Sequence, residues 1–127
     1  MESRPTILIV DDDASFGLMF SNLIRGLGFH VLTTLYASNV PIYELSEGDI
    51  IFLFLVMPGT NGFDVLRTLS KHNSKCSIVL MSGSPARIDE AESLAKQLEL
   101  KLIGILHKPF RLENVKYVLE GALGVSK

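Results

Sequence analysis

Acidic residues, a hydroxyl and a lysine follow three short apolar runs of the chain. A DDD triplet that begins at Asp11 follows TILIV, Ser82 follows SIVLM, and Lys108 follows LIGILH. Adjacent carboxylates repel one another unless a cation or a proton lies between them. Asp11 and Asp12 therefore suit a hard cation such as Mg²⁺, which often takes one or two carboxylates and keeps its waters. Lys108 could neutralise these acids or hold a phosphoryl oxygen, and the Ser82 hydroxyl could donate to the same group.

These side chains can meet only if the elements that precede them lie side by side. Short apolar runs predict strands buried on both faces, at Thr6–Val10, Phe29–Leu35, Asp49–Leu55, Ser77–Met81 and Leu102–Leu106. Apolar residues at helical spacing predict helices at Ala14–Leu27, Ser38–Ser46, Phe63–His72, Ala86–Leu98 and Leu112–Leu123. Asp13 is a predicted N-cap of the first helix, and Gly28 is its predicted stop.

The alternation of five strands with five helices predicts an α/β fold with a parallel sheet and helices on both faces. In such folds, ligands bind beyond the carboxyl ends of the strands. The carboxyl ends place the DDD triplet, Phe54 to Val56, Ser82 and Lys108 at one edge of the sheet. That edge is the predicted functional site.

Composition narrows the class of protein. A chain of 127 residues is expected to form a single domain over residues 1–127, with an ordered core from about residue 5 to residue 123. The net charge of −2 argues against nucleic-acid binding, and no apolar run reaches the length needed to span a membrane. The single Cys76 excludes an internal disulfide and is typical of a reducing, cytoplasmic setting.

Four motifs together carry a family resemblance. They are ILIVDDD at the start, MPG..G after the third strand, LMSG at the end of the fourth strand and HKPF after the fifth. In this order and spacing, over essentially its whole length, the chain resembles the receiver domain of two-component response regulators. The resemblance implies a flavodoxin-like (βα)5 fold with strand order 2-1-3-4-5.

The resemblance also implies roles for individual residues. Asp11 and Asp12 match the acidic pair that binds Mg²⁺, and Val56 matches the residue whose carbonyl is a further metal ligand. Ser82 matches the hydroxyl residue that senses phosphorylation. Lys108 matches the lysine that contacts the phosphoryl group.

Two positions depart from the family pattern. The family's phosphoacceptor aspartate lies four residues before the loop proline, and here Phe54 lies four residues before Pro58. Phenylalanine has no nucleophilic oxygen, so it cannot form an acyl phosphate, and it also removes one metal ligand. The aromatic switch position, three residues before the lysine, holds Ile105, which is β-branched and stiff. The phosphorylation pocket is therefore predicted to be vestigial, with a Mg²⁺ site that is weak or absent and with no other cofactor.

The function favoured by these residues is an atypical receiver domain, not an enzyme, that signals through protein contacts without phosphorylation. The surface expected to make these protein contacts comprises the two predicted helices Ala86–Leu98 and Leu112–Leu123 and the strand between them. Expected partners are another protein or an output domain outside this chain, with a histidine kinase and a second copy as candidates. The stretch Glu92–Pro109 loosely resembles receivers attached to cyclic-di-GMP phosphodiesterase domains.

Alternatives remain open. Asp11 or Asp12 could accept a phosphoryl group in the presence of Mg²⁺, or the chain could bind a small molecule or cofactor on a flavodoxin-like fold. Phe54 could be an extra core side chain, a ring that holds the domain in one conformation, or an engineered substitution. The three histidines lie far apart in the sequence and are expected to be ordinary surface or strand-end residues.

Overall fold

Five parallel strands form one sheet in the order β2-β1-β3-β4-β5. The computed structural model describes residues 5–11, 13–34, 45–55 and 62–123. The strands are β1 (Thr6–Val10), β2 (His30–Thr34), β3 (Ile50–Phe54), β4 (Ser77–Ser82) and β5 (Lys101–His107). Within the described ranges the helices are α1 (Ala14–Gly26), α2 (Gly62–Lys71), α3 (Pro85–Gln97) and α4 (Leu112–Leu123). The predicted fold class and strand order are confirmed.

Two apolar clusters hold the helices on the sheet. On one face, the α2–α3 core comprises Leu8, Val10, Ile51, Leu53, Leu55, Val65, Leu66, Leu69, Cys76, Ile78, Leu80, Ile88 and Ala91. On the other face, the α1–α4 core comprises Ile7, Ile9, Phe20, Ile24, Phe29, Val31, Ile50, Phe52, Val79, Met81, Leu106, Val115 and Leu119. Successive residues of β1 and β3 enter opposite cores because side chains alternate across a strand. This explains why the sequences of these two strands are continuous apolar runs.

The predicted ends of α1 agree with its local geometry. The Asp13 side chain accepts a hydrogen bond from the Phe16 N–H at 3.0 Å, so Asp13 caps the helix as expected. Gly28 has a φ of 98°, which places it in the left-handed region just after the helix. The cap fixes the first turn of α1, which carries Phe16, directly after β1.

Some predicted details are wrong or lie outside the described residues. The helical spacing of apolar residues in Leu112–Leu123 predicts that Leu112 faces the core, but it is 39 % exposed, because a helix lying on a sheet buries only a stripe of its surface. Met19 of α1 belongs to the same helical apolar repeat as Phe20, yet it is 54 % exposed. Helix α2 begins at Gly62, one residue before its predicted start at Phe63. The predicted helix Ser38–Ser46 falls outside the described residues, except for its last two positions, which are not helical.

Cys76 is a buried free thiol in the α2–α3 core. Burial raises the pKa of the Cys76 thiol, although a side-chain hydrogen bond with Ser74 acts in the opposite direction. A thiol with a raised pKa is a poor nucleophile at neutral pH. Cys76 is therefore a core residue in this fold.

No helix in the described part of the chain is long and apolar enough to cross a membrane.

The contact between β5 and α4 depends on a glycine at a bulge. Leu102 pairs with Ile78 and Gly104 pairs with Val79, so Ile103 is an extra residue in β5. A Cβ atom added to Gly104 would lie 3.0 Å from Cγ1 of Val118, tighter than ordinary van der Waals contact. The absence of a side chain lets α4 pack closely on the edge strand that leads to Lys108.

We expect Gly104→Ala to lower the free energy of unfolding by about 1–3 kcal/mol, because the added methyl group overpacks the contact with Val118. Urea denaturation measures this loss. The loss of unfolding free energy caused by Gly104→Ala should be smaller in a Val118→Ala background, where the clashing methyl groups are absent. Gly26→Ala is the matched control, since an added Cβ meets nothing within 4 Å there. An equal loss of unfolding free energy for Gly104→Ala in the wild type and in Val118→Ala would contradict this account of the packing.

Candidate functional site

The strand registers bring four of the predicted site residues to one edge of the sheet. β1 pairs with β3 up to Val10 and Leu53, so the next residues, Asp11 and Phe54, follow side by side. At the other side, the Lys108 N–H donates to the Ser82 carbonyl at 2.9 Å and extends the pairing of β4 with β5. Residues that are far apart in sequence thus meet because parallel strands end at the same edge.

Lys108 and Asp11 form an ion pair at this edge. The Lys108 Nζ lies 3.1 Å from Oδ2 of Asp11, whose side chain is fully buried, while the Lys108 side chain is 19 % exposed. The other carboxylate oxygen, Oδ1, accepts a hydrogen bond from the Asp13 N–H at 2.9 Å. A buried carboxylate without a cation is strongly destabilising. Lys108 therefore supplies the charge that the burial of Asp11 requires.

Two aromatic rings face the same ammonium group. The Lys108 Nζ lies 3.5 Å from the ring centroid of Phe54 and 3.8 Å from that of Phe16. A cation over an aromatic face gains about 0.5–1 kcal/mol when exposed and about 2 kcal/mol or more when desolvated. Phe54 is half-buried and packs against the α1–α4 core. Phe54, which the resemblance matches to the acceptor position, thus contacts Lys108 through its ring face.

Phe16 was not among the predicted site residues. Its ring stacks on Phe20 with centroids 5.4 Å apart, and it meets the edge of Phe110 at 5.8 Å. Phe20 also packs edge-to-face on Phe52 at 5.2 Å. The sequence signals Phe16 only as one apolar position of an amphipathic helix. Its contact with Lys108 depends on where α1 crosses the sheet, which helical spacing does not report.

Ser82 and Ile105 lie close to the pocket in the sheet but have other partners in the structure. Ser82 is buried, and its Oγ accepts a hydrogen bond from the Ser84 N–H at 3.0 Å. Ser84 in turn caps α3 by accepting from the Arg87 N–H. Ile105 is half-buried against the α2–α3 core. The Ser82 hydroxyl therefore stabilises the turn that leads into α3.

The predicted metal ligands are only partly described. Asp12 and Val56 lie outside the described residues, which leaves Asp11 as the one described member of the set. Among the described residues there is no group of three or more His, Cys, Asp or Glu side chains that could hold a metal ion. One oxygen of Asp11 contacts the Lys108 ammonium, and the Phe54 ring lies against the same ammonium. Among the described residues, these groups do not complete the near-octahedral set of oxygen ligands that Mg²⁺ prefers.

The contact between the Lys108 ammonium and the Phe54 ring leads to a testable prediction. We expect Phe54→Leu and Lys108→Met to be coupled by about 0.5–2 kcal/mol in a double-mutant cycle, because each substitution removes the same cation–π contact. Urea denaturation of the wild type, both single variants and the double variant measures the coupling. Lys101→Met, at the opposite end of β5, is the control partner for Phe54→Leu. A coupling near zero for Lys108, or an equal coupling for Lys101, would refute the contact.

Comparison with protein families gives a match over most of the chain. A family profile described as the response regulator receiver domain matches residues 7–120. The chain is 32 % identical over 122 residues to the DNA-binding transcriptional regulator NtrC of Azospirillum brasilense. It is 25 % identical over 119 residues to the cell cycle response regulator CtrA of Brucella ovis. These matches cover 95 % and 93 % of this chain, but only 24 % and 51 % of the two relatives.

Solved structures show the same architecture. A response regulator from Colwellia psychrerythraea superposes with a TM-score of 0.85 at 28 % identity, covering 96 % of this chain and 99 % of that chain. The chemotaxis protein CheY4 of Vibrio cholerae superposes with a TM-score of 0.75 at 22 % identity, covering 94 % and 99 %. The second likeness shows the fold alone.

Proposed function

Because the chain belongs to the response regulator receiver domain family, we propose that it is a receiver that signals through protein contacts without phosphorylation at residue 54. Receiver domains are generally signalling modules of two-component systems. The observation that carries the proposal is the Phe54 ring, 3.5 Å from the Lys108 ammonium, at the position that matches the family's phosphoacceptor. A benzyl side chain offers no oxygen to a phosphodonor.

Charge balance in the pocket supports the same proposal. The Asp11 carboxylate is paired with Lys108, and the buried side-chain nitrogen and oxygen atoms of the described residues all have hydrogen-bond partners. A carboxylate that is already paired with an ammonium gains less from a phosphoryl group or a metal ion than two repelling acids do. The described pocket is therefore compatible with a domain that keeps one state without covalent modification.

Asp11 is a poor candidate for an alternative phosphoacceptor. Its side chain is fully buried, Oδ2 faces the Lys108 ammonium, and Oδ1 accepts from the Asp13 N–H. A nucleophile needs a free oxygen and an open line of approach to phosphorus. The same reasoning supports a role that is not enzymatic, because no described carboxylate of the pocket is left to act as a nucleophile. Asp12 lies outside the described residues and remains a formal alternative.

We place the protein contact on the face formed by α3, β5 and α4, and we propose an output domain as its occupant. The chain spans about a quarter of the length of one relative described above and about half of the other, so both proteins extend well beyond this fold. On this face, an open cavity of 1070 Å³ lies between β5 and α4, and Tyr117 on its rim is 80 % exposed. Exposed aromatic residues beside an apolar cavity are typical of protein interfaces. A histidine kinase and a second copy are the other candidates.

The family and Cys76 both support a proposal for the cellular compartment. Two-component receivers act together with kinases or output domains, and Cys76 is a free thiol in the core. Free cysteines are kept reduced in the cytosol. We therefore propose a cytoplasmic location.

Incubation with a small-molecule phosphodonor and Mg²⁺, followed by intact-mass measurement, tests whether the domain is phosphorylated. We expect the wild type to keep its mass, because Phe54 has no nucleophilic oxygen. The matched control is Phe54→Asp, which restores a carboxylate beside Asp11, Ser82 and Lys108 and should gain the mass of one phosphoryl group. A stable adduct on an aspartate of the wild type would refute the proposal, and peptide mapping would show which one.

A further inference from the structure

Helix α1 carries an apolar surface that the sheet does not cover. Five large apolar side chains of the described residues are exposed, and three of them lie on α1: Leu18 at 63 %, Met19 at 54 % and Leu23 at 39 %. Residues three and four positions apart are neighbours on a helix, so these side chains form one patch with the exposed Ser15 and Asn22. We call these five residues the α1 outer face.

The contacts of α1 within the chain do not account for this apolar surface. The residues of the helix that are buried within the chain are Gly17, Phe20, Ser21 and Ile24. Single exposed apolar residues are common on protein surfaces, whereas a contiguous exposed patch is typical of an interaction site. A helix that is apolar on both sides is typical of one that is covered on both sides. The α1 outer face therefore fits a partner that covers it.

The distribution of charge on the four described helices indicates which partner fits. The α1 outer face has no charged side chain, and the single charged residue of α1, Arg25, donates to the Val31 carbonyl at 3.4 Å. By contrast, α2, α3 and α4 each carry at least three charged side chains. In a two-fold symmetric contact, residues near the axis meet their own copies, so a charge there lies against a like charge. A second copy of this chain can therefore cover α1 without repulsion between like charges.

We propose that the α1 outer face is a homodimer interface and that its occupant is the α1 helix of a second copy of this chain. An antiparallel crossing places the Leu18 end of one outer face against the Leu23 end of the other, so both ends bury apolar side chains. Met19 and Asn22 then lie close to the two-fold axis. One helix face per copy is a small interface, so we expect a reversible dimer whose population rises with concentration.

This interface leaves the surface proposed for an output domain free. That surface is formed by α3, β5 and α4, and α1 belongs to none of these elements. A dimer through α1 therefore presents two such surfaces at once and, where the proposed function holds, makes the receiver bivalent for its partner. The dimer itself does not depend on residue 54, because the outer face consists of exposed residues of α1.

The test is a pair of opposite charges at Met19, whose exposed side chain can be replaced without disturbing the core. Analytical ultracentrifugation over a concentration series measures the dissociation constant of the dimer. We expect Met19→Glu alone and Met19→Lys alone to weaken self-association by roughly tenfold or more, because each places like charges near the axis. An equimolar mixture of the two variants should recover the dimer, since the charges are then opposite. Circular dichroism shows that each variant is folded.

The matched control is Tyr117→Glu, because Tyr117 is 80 % exposed on the surface formed by α3, β5 and α4 and receives the same charge. This variant should keep the dissociation constant of the wild type. The interface would be overturned by a wild type that stays monomeric up to about 1 mM. A mixture of folded Met19 variants that does not associate, or a dimer broken by Tyr117→Glu and not by Met19→Glu, would also overturn it.

The two proposals fail independently. A monomeric wild type would leave the proposed function standing, because that proposal rests on Phe54 and Lys108. A phosphoryl adduct on the wild type would refute the proposed function and would leave the effect of the Met19 variants on the dimer unchanged.

Discussion

The ion pair between Lys108 and the buried Asp11 is the contact on which the strand-end edge depends. Asp11 lies where parallel strands end, behind a wall of side chains and out of contact with water, so its charge must be balanced within the protein. Lys108 balances that charge, and the Phe54 and Phe16 rings replace the water that the ammonium loses. Asp11 and Lys108 therefore form an internally neutral contact at this edge.

The parallel sheet brings these side chains to one edge. Parallel pairing holds the ends of β1, β3 and β5 at one edge whatever side chains follow them, so the residues at that edge can change while the sheet remains. The superposition on a response regulator with a TM-score of 0.85 shows how closely the backbone keeps the family's form. Function on such a fold depends on the residues of the site and not on the topology.

The sheet and most helix faces could be predicted because their signals are local. Continuous apolar runs indicate strands buried on both faces, and Asp13 marks the start of α1 because capping involves a hydrogen bond only three residues along the chain. Leu112 and the bulge at Ile103 could not be predicted in the same way. Exposure of Leu112 depends on how α4 is rotated on the sheet, and the bulge depends on the register against β4, which are both set by packing between distant segments.

By itself, the sequence determined which atoms the pocket contains: a carboxylate at Asp11, an ammonium at Lys108 and no oxygen at Phe54. These are covalent facts, and it follows directly from them that the Phe54 side chain offers no nucleophilic oxygen. Only the tertiary structure decided that the ammonium lies between two rings, and that Phe16 is one of them. The reason is physical: a cation–π contact acts over a few ångströms between residues on different elements, so it exists only after α1, β3 and β5 have packed together.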